Sequence, residues 1–127
     1  MPRKTAITIP GLSSRPTIRN QAKGYVRRSG MNQTERRYEE ILKARMYAGE
    51  ILWYRFEALR LRIGEDNAWY CPDFLVMTKD LTLEIHEIKG GFVREASIVR
   101  LKAAATLYPF RVWLCKYAKS QWSIDEI

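Results

Sequence analysis

Between residues 32 and 48, apolar side chains recur at helical spacing, with Tyr38, Ile41, Leu42 and Ala48 on one stripe. Asn32 or Thr34 suits the cap and Gly49 the stop, which predicts a helix ending at about Ala48. From Ile51 to Ile63 the chain is rich in strand formers. Its apolar positions are even at Tyr54, Phe56 and Ala58, then odd at Leu59, Leu61 and Ile63, a change of parity that predicts a bulge or bend near residue 58. Gly64-Glu65-Asp66-Asn67 reads as a turn, Tyr70 to Met77 as a strand, Thr78 to Leu81 as a turn, and Leu83 to Lys89 as a strand closed by Gly90-Gly91. A second helix follows from about Glu95 to Tyr108, with Ala96, Val99, Ala103 and Leu107 marking one face and Pro109 preventing continuation. Phe110 to Lys116 gives the last strand, and Trp122 and Ile124 in the tail pack back on the domain. The order α-β-β-β-α-β predicts an α/β fold, a mixed central sheet flanked by helices.

Composition narrows what such a fold does. The chain has 127 residues, enough for one domain with a core, and carries 22 Lys and Arg against 14 Asp and Glu, a net charge of +8. That balance favours a polyanionic partner, with nucleic acid first. Seven of the basic residues, Arg3, Lys4, Arg15, Arg19, Lys23, Arg27 and Arg28, fall in residues 1–30, where there is no acid and where Pro and Gly recur. This segment reads as a basic N-terminal arm ahead of a domain at 31–127. Two readings of it stay open: a solvated leader, with Met31 the start of the compact domain, or an arm that lies along phosphates and orders on binding. Thr5 to Ile9 has strand-forming residues that could add an edge strand or dock on a partner subunit. Apolar runs such as Ile51-Leu52-Trp53-Tyr54 are far shorter than the ~20 residues of a membrane span, and no secretory h-region is visible, so the expectation is no membrane and a cytoplasmic protein. Cys71 and Cys115 stand apart and outside any CxxC pattern, which argues for reduced thiols and against a thiolate zinc site.

The candidate chemistry comes from strand parity. A hairpin of the strands 70–77 and 83–89 around a short turn sets Asp73 opposite Glu87, and Lys89, two residues on, points to the same face. Two carboxylates across ~5 Å repel unless something neutralises them. A divalent cation does so, and few hard oxygen donors suit Mg²⁺ or Mn²⁺, which keep waters and accept phosphate oxygens. Such an ion acidifies a bound water and offsets charge on a scissile phosphate, and Lys89 can position that water or steady the developing charge.

At Tyr70-Cys-Pro-Asp73-Phe-Leu-Val, followed by Glu87-Ile-Lys89-Gly-Gly, the sequence resembles the PD-(D/E)XK nuclease superfamily, and more closely its small phage-encoded endonucleases. The likeness covers the layout of most of residues 31–117 and implies a restriction-endonuclease-like core. It implies Asp73 and Glu87 as metal ligands, the backbone carbonyl of Ile88 as a third, and Lys89 as the catalytic lysine. Glu35 matches the acid that such nucleases often carry on the helix before the sheet. One turn ahead of Tyr38 it is either an auxiliary ligand or base-orienter, or the partner of an Asn32 cap. The implied activity is a metal-dependent DNA endonuclease in phage or bacterial DNA replication, recombination or processing, at work in the bacterial host cytosol, with room for a homodimer.

Blander readings stand beside these. Asp73, Glu87 and Lys89 could be polar positions on a half-exposed sheet, their ion pair worth less than ~1 kcal/mol. Glu84 and His86 fall on the opposite parity, and His86 suits a surface or helix-covered role. Trp69 and Tyr70 precede the site and are core residues or stacking surfaces for a base or sugar; Arg100 and Lys102, and likewise Arg60 and Arg62, are phosphate contacts or a solvated face. The rival functions are a non-catalytic nucleic-acid-binding protein, holding phosphates with the arm and helix 95–108, and an assembly subunit that meets an acidic protein.

Overall fold

The structure, a computed structural model, describes residues 30–127. It is a mixed α/β fold, a central mixed sheet flanked by helices. In chain order the elements are α1 (Gln33–Tyr47), β1 (Ile51–Phe56), β2 (Leu61–Arg62), β3 (Trp69–Tyr70), β4 (Phe74–Thr78), β5 (Leu83–Gly90), α2 (Glu95–Leu107), β6 (Arg111–Ala118) and β7 (Gln121–Glu126). Five strands form the main sheet in the order β1-β4-β5-β6-β7, and β2 and β3 form a separate two-stranded ribbon. Only β5 and β6 run parallel, joined by α2 as the crossover.

Helix α1 starts on a capping box. The Asn32 side chain accepts from the Glu35 N–H at 2.8 Å, and the Glu35 carboxylate accepts from the Asn32 N–H at 3.0 Å. The helix stops where expected, Gly49 taking the left-handed φ of 81° that glycine adopts without steric cost. Helix α2 turns its other side to the core. Leu101 and Ala104 are buried, with Ile98 and Ala105 packed beside them, whereas Val99 and Leu107, expected on the core face, are mostly exposed. Because α2 is apolar almost all round, spacing alone does not choose between the two stripes.

The strand expected over Ile51–Ile63 breaks at Glu57, which takes a φ of 47°, and its continuation joins the ribbon. The partner strand breaks opposite it, at Cys71-Pro72-Asp73, where buried Pro72 has no N–H for a ladder. The last rung there is the Glu57 N–H on the Asp73 carbonyl, at 2.8 Å. The Gly64–Asn67 turn is present and closes the ribbon. Strand β7 replaces the expected loose tail: Lys119 and Ser120, at φ 53° and 61°, make a tight two-residue reversal without the Asn-Gly signature that usually announces one. It brings Trp122 to within 4.9 Å of Tyr117 and 5.1 Å of Tyr38, ring centre to ring centre. Among the described residues no helix is long and apolar enough to cross a membrane.

The two sheet faces carry two cores. Leu75, Ile85, Val112 and Leu114 face α2, while Phe74, Val76, Ile88 and Cys115 pack with Tyr38, Leu42 and Ile51 on the α1 side. His86 is covered there by α1. Its Nδ1 lies 2.6 Å from the Tyr38 hydroxyl and its Nε2 3.1 Å from Glu84, whose second oxygen accepts from Trp113 Nε1 at 3.1 Å. Burial pushes the Tyr38 phenol up, so its O–H donates to Nδ1 and the imidazole gives its one proton to Glu84. Burial raises Glu84, but hydrogen bonds from His86 and Trp113 outweigh it and leave that carboxyl below its ordinary value.

Burial also holds His86 below the ordinary imidazole range, opposed by Glu84 and reinforced by Arg45 on α1. A depressed histidine binds its proton more weakly folded than unfolded, so stability is full above about pH 6.5 and declines as pH falls from there to the folded-state pKa. Urea unfolding at about pH 7.5 and about pH 5.5 should show the decline. His86→Gln, which cannot protonate, should lack that part of it; an equal decline in both proteins would place the titration elsewhere.

Candidate active site

The expected hairpin register is the one formed, Phe74 opposite His86 and Met77 opposite Leu83. Asp73 lies one residue before the first paired position and therefore beside Glu87. The two are tied crosswise through backbone: the Asp73 carboxylate accepts from the Ile88 N–H at 2.8 Å, and the Glu87 carboxylate accepts from the Asp73 N–H. Continued past the break, the same register would set Ile88 opposite Pro72, whose nitrogen carries no hydrogen for a ladder bond.

Glu87 is nearly buried and well held. The Tyr70 hydroxyl donates to its Oε2 at 2.5 Å, and Lys89 Nζ stands 3.3 Å from its Oε1. Burial still dominates and raises the Glu87 carboxyl above its ordinary value against Tyr70, Lys89 and the Asp73 N–H. These groups border a cleft of about 250 Å³ on the α2 side of the sheet. Trp69, Tyr70 and Cys71 form one wall, Glu87 and Lys89 the floor, and Ser97 and Arg100 of α2 the other wall. Ser97 and Arg100, three apart on a helix, share a face; Lys102, two residues beyond Arg100, is turned well away, is exposed and does not line the cleft.

The structure thus brings Glu87, Lys89 and Arg100 to one cleft, with Asp73 tied to the Ile88 N–H beside Glu87. Glu35 is buried and gives one carboxylate oxygen to the α1 cap; among the described residues no three His, Cys, Asp or Glu side chains form a set that could hold a metal. Thr34, next to Glu35, does touch this strand end, its Oγ1 lying 3.3 Å from where a Cβ on Gly90 would be. Tyr70, expected as a DNA contact, is buried and holds Glu87 instead, and the half-exposed ring at the cleft is Trp69. Sequence reasoning missed Ser97 and the Tyr70–Glu87 bond. No periodicity signals that bond, because Tyr70 belongs to the ribbon and its parity does not carry into β4. The arm residues Arg3, Lys4, Arg15, Arg19, Lys23, Arg27 and Arg28 lie outside the described residues.

A divalent metal fits this donor set. Two carboxylates and a carbonyl are hard oxygens in the number that Mg²⁺ accepts while keeping waters, and a cation beside Glu87 opposes the burial that disfavours its charge.

No family model matches the chain, and no similar curated protein is found. Among solved structures the fold is similar to Archaeoglobus fulgidus Hjc, a Holliday junction resolvase from an archaeal hyperthermophile, with a TM-score of 0.45 and 13% identity over 72% of this chain and 75% of that one. At that identity no residue role passes from that protein to this chain.

The crosswise tie separates structure from charge at Asp73. Asp73→Asn keeps an oxygen for the Ile88 N–H and should unfold within about 1 kcal/mol of the parent, whereas Asp73→Ala strands that N–H and should cost about 1–3 kcal/mol. Equilibrium urea unfolding of the two variants checks this; equal losses would mean the bond carries no stability.

Proposed function

We propose that the chain is a divalent-metal-dependent DNA endonuclease that hydrolyses phosphodiester bonds, acting on a particular DNA structure in phage or bacterial replication, recombination or processing. The observation that carries this reading is the break at Pro72: Asp73 is tied there to the Ile88 N–H beside Glu87, and Glu87 and Lys89, paired with each other, line one open cleft.

In this reading Asp73, Glu87 and the Ile88 carbonyl hold Mg²⁺ or Mn²⁺. The ion, when bound, supplies an acidified water and offsets charge on the scissile phosphate. The chain's own groups do the rest. The Ile88 N–H fixes the Asp73 carboxylate and Tyr70 fixes that of Glu87, so neither needs to reorganise when substrate arrives. Lys89 reaches the cleft on a partly exposed side chain, where its ammonium holds the attacking water or meets the charge that builds on the phosphate. Arg100 on the far wall takes a backbone phosphate, which positions the strand without reading its sequence. Cutting both strands symmetrically calls for a second copy of the chain.

A second reading has one observation in its favour: Lys89 already neutralises Glu87, and the described residues hold no three-ligand cluster. It is the non-catalytic nucleic-acid-binding protein, with the same cleft used only for holding.

Turnover decides between them. Purified protein on supercoiled plasmid, single-stranded DNA and a four-way junction should cut in Mg²⁺ or Mn²⁺ and not in EDTA. Asp73→Asn should abolish cutting, and Lys89→Ala should slow it by about 10²-fold or more with DNA affinity nearly unchanged. Salt-sensitive binding without cleavage on any substrate would establish the binder instead.

The arm, proposed to lie along phosphates, has its own test. Replacing its seven basic residues by Gln should weaken binding and flatten the plot of log affinity against log salt, by about 0.9 for each duplex phosphate that is no longer neutralised. An unchanged slope would remove the arm from the interface.

A further inference from the structure

The cleft is lined by one aromatic ring that the proposed hydrolysis does not use. Trp69 stands beside the Glu87–Lys89 pair with 38% of its surface exposed. It is not a loose surface ring. The Arg60 guanidinium lies over it, 4.6 Å from the ring centre, and the ribbon fixes both residues, since Leu61 pairs with Tyr70 and Arg62 with Trp69. Tyr70, the next residue along, is bonded to Glu87, so the position of Trp69 is coupled through one residue to the carboxylate.

Size and charge say what fits there. At about 250 Å³ the cleft is smaller than the ~300–1,000 Å³ of sites that enclose drug-sized ligands and has room for one planar ring system. Its lining carries two cations, Lys89 and Arg100, beside the Glu87 carboxylate, and Arg60 lies over the indole. A flat aromatic ring beside two cations, next to groups suited to a phosphodiester, is the chemistry that takes an unpaired base and its phosphate.

We propose that Trp69, held by Arg60, is the stacking platform for an unpaired nucleobase adjacent to the scissile phosphate, so that the substrate is DNA with at least one unpaired nucleotide at the cut site. The proposal rests on the nuclease reading for the identity of that phosphate. The platform acts on ground-state binding as well as on turnover, and it selects by base pairing and not by sequence, because every base offers a π-face. Trp69 is here a specificity residue; Arg60 is a positioning residue acting through it.

The test is a binding cycle with the full chain in EDTA, where no cleavage intervenes. Fluorescence anisotropy compares single-stranded DNA, a duplex with a central bubble and a fully paired duplex, along with a single-strand series in which one nucleotide at a time is abasic. Trp69→Ala should lose about tenfold or more in affinity for the single strand and the bubble and change affinity for paired duplex less than about twofold. Trp69→Phe should restore most of the loss. In the parent protein one abasic position should cost about as much as Trp69→Ala does, and the two losses should not add. Equal effects of Trp69→Ala on paired and unpaired DNA, or an abasic series without a sensitive position in the parent, would overturn the proposal. Should Trp69→Ala fail to fold, the parent's abasic series and the Trp69→Phe variant decide by the same criteria. Abasic coupling in a protein that never cuts would sink the nuclease reading and leave the platform standing. Metal-dependent cutting of fully paired duplex, undiminished by Trp69→Phe or Trp69→Ala, would do the reverse.

Discussion

The bond from the Ile88 N–H to the Asp73 carboxylate is the constraint on which the candidate site depends. A regular antiparallel ladder would continue past Phe74 and give that N–H a backbone carbonyl. Here β4 starts one residue after Asp73, so a side chain caps the strand edge in place of a rung. The substitution has three consequences. It turns an acid into a structural part, so its charge stays buried at a fixed place. It sets Pro72, which carries no N–H, where the ladder would otherwise continue. And it lets the chain before Pro72 leave the sheet, which frees β2 and β3 to form the ribbon carrying Tyr70 and Trp69 to the cleft.

Strand β5 then holds two polar systems, one on each face. Glu84 and His86 point toward α1 and are closed into a saturated chain with Tyr38 and Trp113; Glu87 and Lys89 point toward α2 and open on the cleft. Alternation of side chains along a strand makes this division without any change in backbone. The two systems differ in how burial is met. Burial keeps His86 neutral against the pull of Glu84, and hydrogen bonds from His86 and Trp113 keep Glu84 charged against burial. Glu87 has partners too, yet burial outweighs them, which leaves a carboxyl whose charged form would gain from one more cation. That asymmetry separates a packing network from a site.

Much of this was legible in the sequence, for reasons that can be named. The hairpin register followed from the length of the turn between two strands of clear parity, and with it the pairing of Asp73 and Glu87 on one side. The start of α1 followed from Asn32 and Glu35 three apart, the spacing of the capping box that the structure forms. The face of α2 was not legible, because Ala96, Val99, Ala103 and Leu107 match a helical stripe as well as Ile98, Leu101 and Ala105 do, and only the sheet decides. Strand β7 was hidden by Lys119 and Ser120, which adopt left-handed backbone without belonging to the residue types that favour it. The break at Pro72 was readable in principle, since proline cannot sustain a ladder, but Tyr70 to Met77 is otherwise a continuous run of strand formers.

Charge distribution bears on how the proposed activity divides its work. Residues 1–30 carry seven basic side chains and no acid, leaving fifteen basic against fourteen acidic residues in 31–127. A nearly neutral domain gains little from long-range attraction to DNA, and in the proposed activity its attraction is local, at Lys89 and Arg100 in the cleft. Phosphate neutralisation by an arm holds any duplex or strand alike and weakens steeply with salt. Stacking on an indole depends on an exposed base and not on counterions, so it is nearly indifferent to salt. A protein built from both parts discriminates poorly at low salt, where the sequence-independent hold dominates, and well at physiological salt, where stacking decides. In the proposed activity, selectivity for unpaired DNA is therefore a property of the balance between residues 1–30 and Trp69, and it sharpens as the ionic hold is weakened.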